Sequence, residues 1–381
     1  MQQHAVIQPP PAAPRLPADF CSDIERAHTL PARCYTADEV FQYEKEQIFA
    51  KSWLCLCHGS ELARPNDYVT RRVIGENILL LRDRDGELRA FYNVCPHRGH
   101  ELLSGSGQAR NVITCPYHAW AFKLDGQLAH ARNCEQVADF DRTGSHLSPL
   151  RVAEYCGFVF VNMDPDAPDI DVEYAGLREH FMQVCPRVAD LKVAERVVTT
   201  TPANWKVIVD NYMECYHCAP AHPSFSQSVT TDGYTHSLHG RWTLQRGAAQ
   251  SSDSSYAFDG EAANQAFNGY WLWPGVMFNV VPGDAAMTVI YEFPESAGVT
   301  VQHYEILFLN QDLSEEQRRF VSWARDEFRP EDLRLVESVQ RGLQSRGYRG
   351  QGRIMADSQR SGISEHGIAH FHQMVAAAYR G

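Results

Sequence analysis

Cys95-Pro-His97-Arg98-Gly99 and, further along, Cys115-Pro-Tyr-His118-Ala-Trp120 decide how this chain is read. Each stretch sets one thiol and one imidazole on a short turn. Together they offer a Cys₂His₂ donor set, which by ligand type fits either zinc or a [2Fe–2S] cluster. Zinc fingers pair Cys with Cys on one turn and His with His on another. Here each turn carries one of each, as is required when one iron takes both thiolates and the other both imidazoles. The favoured reading is an iron–sulfur cluster on Cys95, His97, Cys115 and His118. A structural zinc site in a small β domain is the alternative.

Around these turns lie short β-rich runs (68–74, 77–82, 88–94, 157–163) broken by Gly, Asp and Pro, predicting a small antiparallel domain over 53–165. Asp164-Pro-Asp-Ala-Pro-Asp169 is a polar, proline-broken junction and marks its end. Beyond it the pattern changes. Residues 204–217 read as a helix, and 270–281, 287–293 and 300–310 as strands. Ser314-Glu-Glu-Gln317 is a capping box ahead of Phe320, Val321, Ala324 and Phe328 at helical spacing. The second unit, 166–381, is therefore a sheet with helices, and the protein is α+β. Thr36-Ala-Asp-Glu39 is a further capping box, predicting a helix over 36–50 in a segment, 18–52, that packs on the second unit. Residues 1–17 hold Pro9, Pro10, Pro11, Pro14 and Pro17 and read as a disordered, polyproline-like arm.

The 381 residues carry 35 basic and 47 acidic side chains, a net charge of −12, with 44% hydrophobic residues. That composition suits two folded units. Its sign argues against a nucleic-acid partner and against a polybasic membrane surface. No run approaches the ~18 apolar residues of a membrane span, and no secretory leader is evident, so a cytoplasmic location is expected. Eleven cysteines without a leader suit metal-binding and core thiols better than a disulfide framework.

A second ligand set lies in Asp210-Asn-Tyr212-Met-Glu214-Cys-Tyr-His217-Cys-Ala-Pro220-Ala-His222. On an unbroken helix His217 and His222 would stand about 140° apart and could not share an ion. Pro220 breaks the helix between them and lets the second imidazole turn back. Asp210, Glu214 and His217, at i, i+4 and i+7, would share one face. Two imidazoles and one carboxylate form the facial set of a non-haem Fe(II) oxygenase. The carboxylate must come from elsewhere. Asp332, after Arg329-Pro-Glu, heads a stripe with Val336, Val339 and Leu343, and an inward Asp needs a partner. Glu331 and Glu337 are its competitors, and a plain helix-dipole acid is its bland reading.

The two Cys/His turns resemble the motif of Rieske-type non-haem iron oxygenases, and Asp332 matches that family's late Asp ligand. The resemblance implies an N-terminal Rieske [2Fe–2S] domain and a C-terminal catalytic domain of the aromatic-ring-hydroxylating alpha-subunit fold. It implies one mononuclear Fe(II) on His217, His222 and Asp332, with O₂ as co-substrate. It also implies a homotrimer in which a carboxylate three residues before the first iron histidine relays electrons between subunits. That carboxylate is usually Asp; here it is Glu214. Asp210 is a candidate to support the iron ligands from behind. The chain shows no Gly-rich dinucleotide fingerprint and no flavin motif, so NADH would act through a separate flavin- and ferredoxin-type reductase. A lone Rieske electron carrier would leave 166–381 without a role.

The Glu-Cys-Tyr-His-Cys context of 214–218 is similar to the branch of the family acting on quaternary ammonium compounds. Segments 91–100, 111–120, 346–355 and 361–369 are similar to its carnitine-cleaving bacterial members. This implies cleavage of L-carnitine to trimethylamine and malic semialdehyde. Oxidation or demethylation of glycine betaine, choline, γ-butyrobetaine or stachydrine is the alternative. A trimethylammonium head suits an aromatic cage, for which Tyr212, Trp271, Trp273 and Tyr291 are candidates. Arg349, Arg353 and Arg360 are available to a substrate carboxylate. His366, His370 and His372, at helical spacing, read as a hydrogen-bonded cluster.

Overall fold

Short strands, some alternating like Asp67–Val73 and some buried throughout like Leu54–His58 and Phe158–Asn162, build three small antiparallel sheets in the first half of the chain. The computed structural model describes residues 12–230, 232–249, 264–283 and 286–381. Leu88–Tyr92, Glu76–Arg82, Asp67–Val73 and Ser106–Gln108 form one sheet in that order. Val112–Thr114, Ala121–Lys123 and Leu128–His130 form a second. Leu54–His58, Phe158–Asn162 and Arg151–Tyr155 form a third. Two connections are two-residue turns, Ile74-Gly75 and Cys156-Gly157, all four residues with positive φ, which suits the twist of the strands they join. A separate small core containing Leu79, Leu81, Phe91, Ile113 and Phe122 also holds Cys95 and Cys115.

The second half is one seven-stranded antiparallel sheet. Its order is Lys192–Thr201, Val299–Phe308, Met287–Ser296, Val276–Val280, Ala266–Leu272, Trp242–Ala248 and Thr235–His239. The single strand expected over 270–281 is two strands folded back at Trp273-Pro274-Gly275, with Leu272 opposite Val276. Proline has no N–H to give a central ladder, so the strand ends there. Helices Trp205–Tyr212, Arg329–Leu343 and His366–Ala378 complete this unit. Among the described residues no helix is long and apolar enough to cross a membrane.

The N-terminal segment lies against this second unit. Its helix is shorter than expected at the start. Asp38–Glu44 begins after Ala37 without a side-chain cap, because the Thr36 hydroxyl donates back to the Ala32 carbonyl at 3.1 Å. The helix then widens into a π turn, Lys45–Phe49. Glu44, fully buried, accepts from Lys206 Nζ at 2.7 Å, from Trp205 Nε1 at 2.9 Å and from the Tyr379 hydroxyl. Of the proline-rich arm, residues 1–11 lie outside the described residues. Within 12–17, Pro14 is buried and Leu16 packs on the main core, while Arg380 donates to the Pro17 carbonyl.

Candidate metal centres and substrate cavity

The two Cys/His turns have the same backbone. Cys95 N–H donates to the His100 carbonyl and Gly99 N–H to the Cys95 carbonyl. Cys115 N–H donates to the Trp120 carbonyl and Ala119 N–H to the Cys115 carbonyl. Gly99 (φ 74°) and Ala119 (φ 58°) hold the matching left-handed positions. Both thiols are therefore buried at the base, while the His97 and His118 rings, centroids 4.6 Å apart, stand at the rim. Trp120 stacks on His97 at 4.7 Å. Burial raises the Cys95 thiol, with the Cys115 sulfur alongside adding to the rise. His118 Nδ1 is buried with no hydrogen-bond partner. An orphaned imidazole nitrogen over paired thiols is the arrangement a Rieske cluster satisfies.

The second ligand set arises from a helix that stops early. Asn204 caps Trp205–Tyr212 by accepting from Lys206 N–H at 3.0 Å, and the helix ends at Tyr212, not at His217. One turn, Cys218–Ala221, contains Pro220. The chain reverses at His222 (φ −123°, ψ 71°), ahead of Pro223, which opens the next helix. Asp210 and Glu214 are consequently not on one helical face. Asp210 turns away from His217 and His222, accepting from the Tyr35 hydroxyl at 2.7 Å and facing His372 Nε2 at 2.8 Å. Glu214 folds onto His217: Oε1 lies 2.5 Å from Nδ1, and Oε2 accepts from the His217 backbone N–H at 3.0 Å.

Asp332 enters from the first turn of Arg329–Leu343. That helix continues from Glu315–Trp323, capped by the Ser314/Gln317 box, through a π turn over Ala324–Phe328. Pro330 lacks the N–H that a regular α turn would use here, and the turn before it is widened. The inward stripe is Asp332, Val336 and Gln340; Val339, expected inside, is 50% exposed. Asp332 Oδ1 lies 3.0 Å from His222 Nε2 and 3.7 Å from His217 Nε2. One donor atom from each of the three residues lies within 4.8 Å of the others. Burial alone would raise the Asp332 carboxyl, but His222, with His217 and Arg329, holds it below the ordinary carboxylate range. Two imidazoles and a carboxylate so gathered fit a non-haem iron.

Beside His217, His222 and Asp332 opens a cavity. In its wall Phe328 meets His222 (4.9 Å between centroids), Trp323 (5.1 Å) and Phe225 (5.5 Å), and Phe225 meets Phe267 (5.4 Å). The opposite side is polar and neutral. Tyr212 donates to Asn279 Oδ1 at 2.7 Å, Asn279 Nδ2 to Thr288 at 3.2 Å, and Tyr234 to Gln245 at 3.1 Å. Tyr212 thus lines the cavity. Trp271, Trp273 and Tyr291 do not. Trp271 lies further along its strand under Phe371, Trp273 donates to Ser52, and Tyr291 faces away, donating to Glu305. The cage-type rings Phe225, Phe267, Trp323 and Phe328 were missed. Two of them sit on the helix and π turn that deliver Asp332, which is the signal that could have found them. Among the described residues no Arg or Lys lines the cavity; Arg353 instead donates to the Ala27 carbonyl.

Unlike the expectation of thiols alone, Cys215 and Cys218 form a disulfide around His217. The other nine cysteines are free and buried.

A Cys₂His₂ pair of turns on a small β domain, joined to a sheet-and-helix domain with a two-His, one-carboxylate face, defines a Rieske-type non-haem iron oxygenase. Residues 52–141 match the Rieske [2Fe-2S] domain and residues 188–381 the ring hydroxylating alpha subunit (catalytic domain), and the chain belongs to that family. It is 61% identical to the carnitine monooxygenase oxygenase subunit of Escherichia coli (strain K12), over 96% of this chain and 97% of the relative. A solved quaternary ammonium Rieske monooxygenase superposes with a TM-score of 0.93 at 60% identity, covering 97% of this chain and 100% of that one. A solved quaternary ammonium Rieske monooxygenase in complex with L-carnitine gives 0.89 at 60% identity, over 96% of this chain and 99% of that one.

Proposed function

We propose that this chain is the oxygenase component of a two-component monooxygenase that cleaves the C–N bond of L-carnitine. In this reading residues 18–52 brace the catalytic unit, 53–165 hold the [2Fe–2S] cluster on Cys95, His97, Cys115 and His118, and 166–381 hold the iron on His217, His222 and Asp332. The whole-length likeness to carnitine monooxygenase oxygenase subunits carries the reading. The aromatic wall beside the iron ligands supports a quaternary cation, because a trimethylammonium group is attracted by ring faces. The polar wall supports a substrate whose other end is met by amides and hydroxyls.

When bound, the two iron centres supply one-electron transfer and the reductive activation of O₂. The chain's own residues bind, orient and exclude water. Phe225, Phe267, Trp323 and Phe328 hold the cationic head beside His222, while Tyr212, Asn279 and Gln245 fix the other end. Glu214 accepts the hydrogen bond from His217 Nδ1–H and, in a cytoplasmic homotrimer, would face the cluster that a neighbouring copy would hold. Overall, one oxygen atom enters at the carbon next to nitrogen. The other becomes water, with electrons from NADH delivered by a flavin- and ferredoxin-type reductase. The carbinolamine so formed breaks its C–N bond to give trimethylamine and malic semialdehyde.

The test is a substrate panel of L-carnitine, γ-butyrobetaine, glycine betaine and choline with reductase, NADH and O₂, scored for trimethylamine and formaldehyde. Trimethylamine from carnitine is expected. Formaldehyde from glycine betaine, with no trimethylamine from carnitine, would move the chain to the demethylating alternative.

A further inference from the structure

We propose that Glu331 is a positioning residue for the iron site, fixing the ring of His222 in the tautomer that can ligate a metal. This rests on the reading of His217, His222 and Asp332 as the iron ligands. Glu331 and Asp332 are consecutive in the first turn of Arg329–Leu343, so their side chains diverge by about 100° and cannot both face one ion. Both nevertheless reach the same imidazole. Asp332 Oδ1 lies 3.0 Å from His222 Nε2, the edge that faces His217. Glu331 Oε2 lies 2.8 Å from Nδ1, the opposite edge.

An ionised carboxylate only accepts hydrogen bonds, so Nδ1 must carry the hydrogen facing Glu331. Nε2 faces Asp332 Oδ1 at 3.0 Å in the same way, so an ion entering between them must displace the Nε2 hydrogen, and the hydrogen left on Nδ1 is then the one that Glu331 holds. His222 is 2% exposed, so without Glu331 its Nδ1–H would lose its partner with no solvent in reach. No other ion pair engages Glu331 among the described residues. Glu214 serves His217 in the same way, but from three residues away. Glu331 reaches His222 across 109 residues of chain, so it also ties the helix that supplies Asp332 to the turn that supplies both histidines.

The experiment compares the cluster-loaded protein with its Glu331→Met, Glu331→Ala and Glu331→Gln variants. It reads Fe(II) affinity by chelator competition and the EPR signal of the nitric oxide adduct of the mononuclear iron, with the visible Rieske spectrum as the control for folding. Glu331→Met and Glu331→Ala should bind Fe(II) roughly 10- to 100-fold more weakly and change the EPR line shape. Glu331→Gln, whose amide oxygen accepts the same hydrogen bond, should restore most of the affinity. Wild-type affinity and line shape in Glu331→Met, or Glu331→Gln as weak as Glu331→Met, would overturn the proposal. Unchanged mononuclear iron in Asp332→Ala would instead overturn the ligand reading beneath it. If Glu331→Ala loses the Rieske spectrum, the Met and Gln variants decide the matter.

Discussion

His217, His222 and Asp332 converge from two segments more than a hundred residues apart, a grouping that could hold a metal ion. His217→Ala and Asp332→Ala are each expected to lose the mononuclear iron while the visible Rieske spectrum stays, since the cluster turns belong to a separate core. Metal analysis beside the spectrum checks this. Glu214→Ala should keep the Rieske spectrum, bind Fe(II) more weakly as Glu331→Ala does and, with iron supplied in excess, still lose turnover by roughly 10- to 100-fold or more. Normal steady-state activity would remove its relay role. These residues were legible in the sequence because ligand chemistry restricts residue type and spacing. The cage was not. Which face a Trp or Tyr presents depends on strand register: Ile290 lines the cavity and its neighbour Tyr291 does not. Likewise, Asp210 looked like a ligand support only on a helix assumed to run to His217.

At the scale of elements, the helix that leads into the iron turn is fastened to the N-terminal segment by Lys206 and Glu44, neither with any exposed side-chain surface. Removing one partner leaves a buried charge alone, which costs about 3–5 kcal/mol. Lys206→Met should therefore destabilise the protein by that amount in chemical unfolding, and adding Glu44→Gln should recover part of the loss. A Lys206→Met protein as stable as wild type would show that the pair is not structural. Helix starts with a polar cap were readable, as Ser314/Gln317 shows. Helix ends were harder to read, because a π turn before Pro330 and the reversal at His222 answer to tertiary packing, which local pattern does not encode.

At the scale of the whole molecule, two buried histidines set a pH limit. Burial, with His366 and His370 nearby, lowers His236 to about 3; burial, with Arg71 and Arg196, lowers His303 to about 4. Both lie below the ordinary value of 6.5, so the unfolded chain binds more protons and stability falls as pH drops from about 6.5 towards 4. Each group contributes at most about 1.4 kcal/mol per pH unit. Thermal unfolding should show a falling midpoint over that window, less steep in His236→Asn. A midpoint independent of pH from 7 to 5 would contradict the assignment of both as neutral.

The account depends on two unlike iron centres in one chain. Its most direct test is iron and inorganic sulfide analysis, with Mössbauer spectra, of anaerobically loaded protein and of Asp332→Ala. About three irons and two sulfides per chain are expected, falling to about two irons and two sulfides in the variant. Zinc in place of iron, or an iron content that Asp332→Ala leaves unchanged, would contradict it.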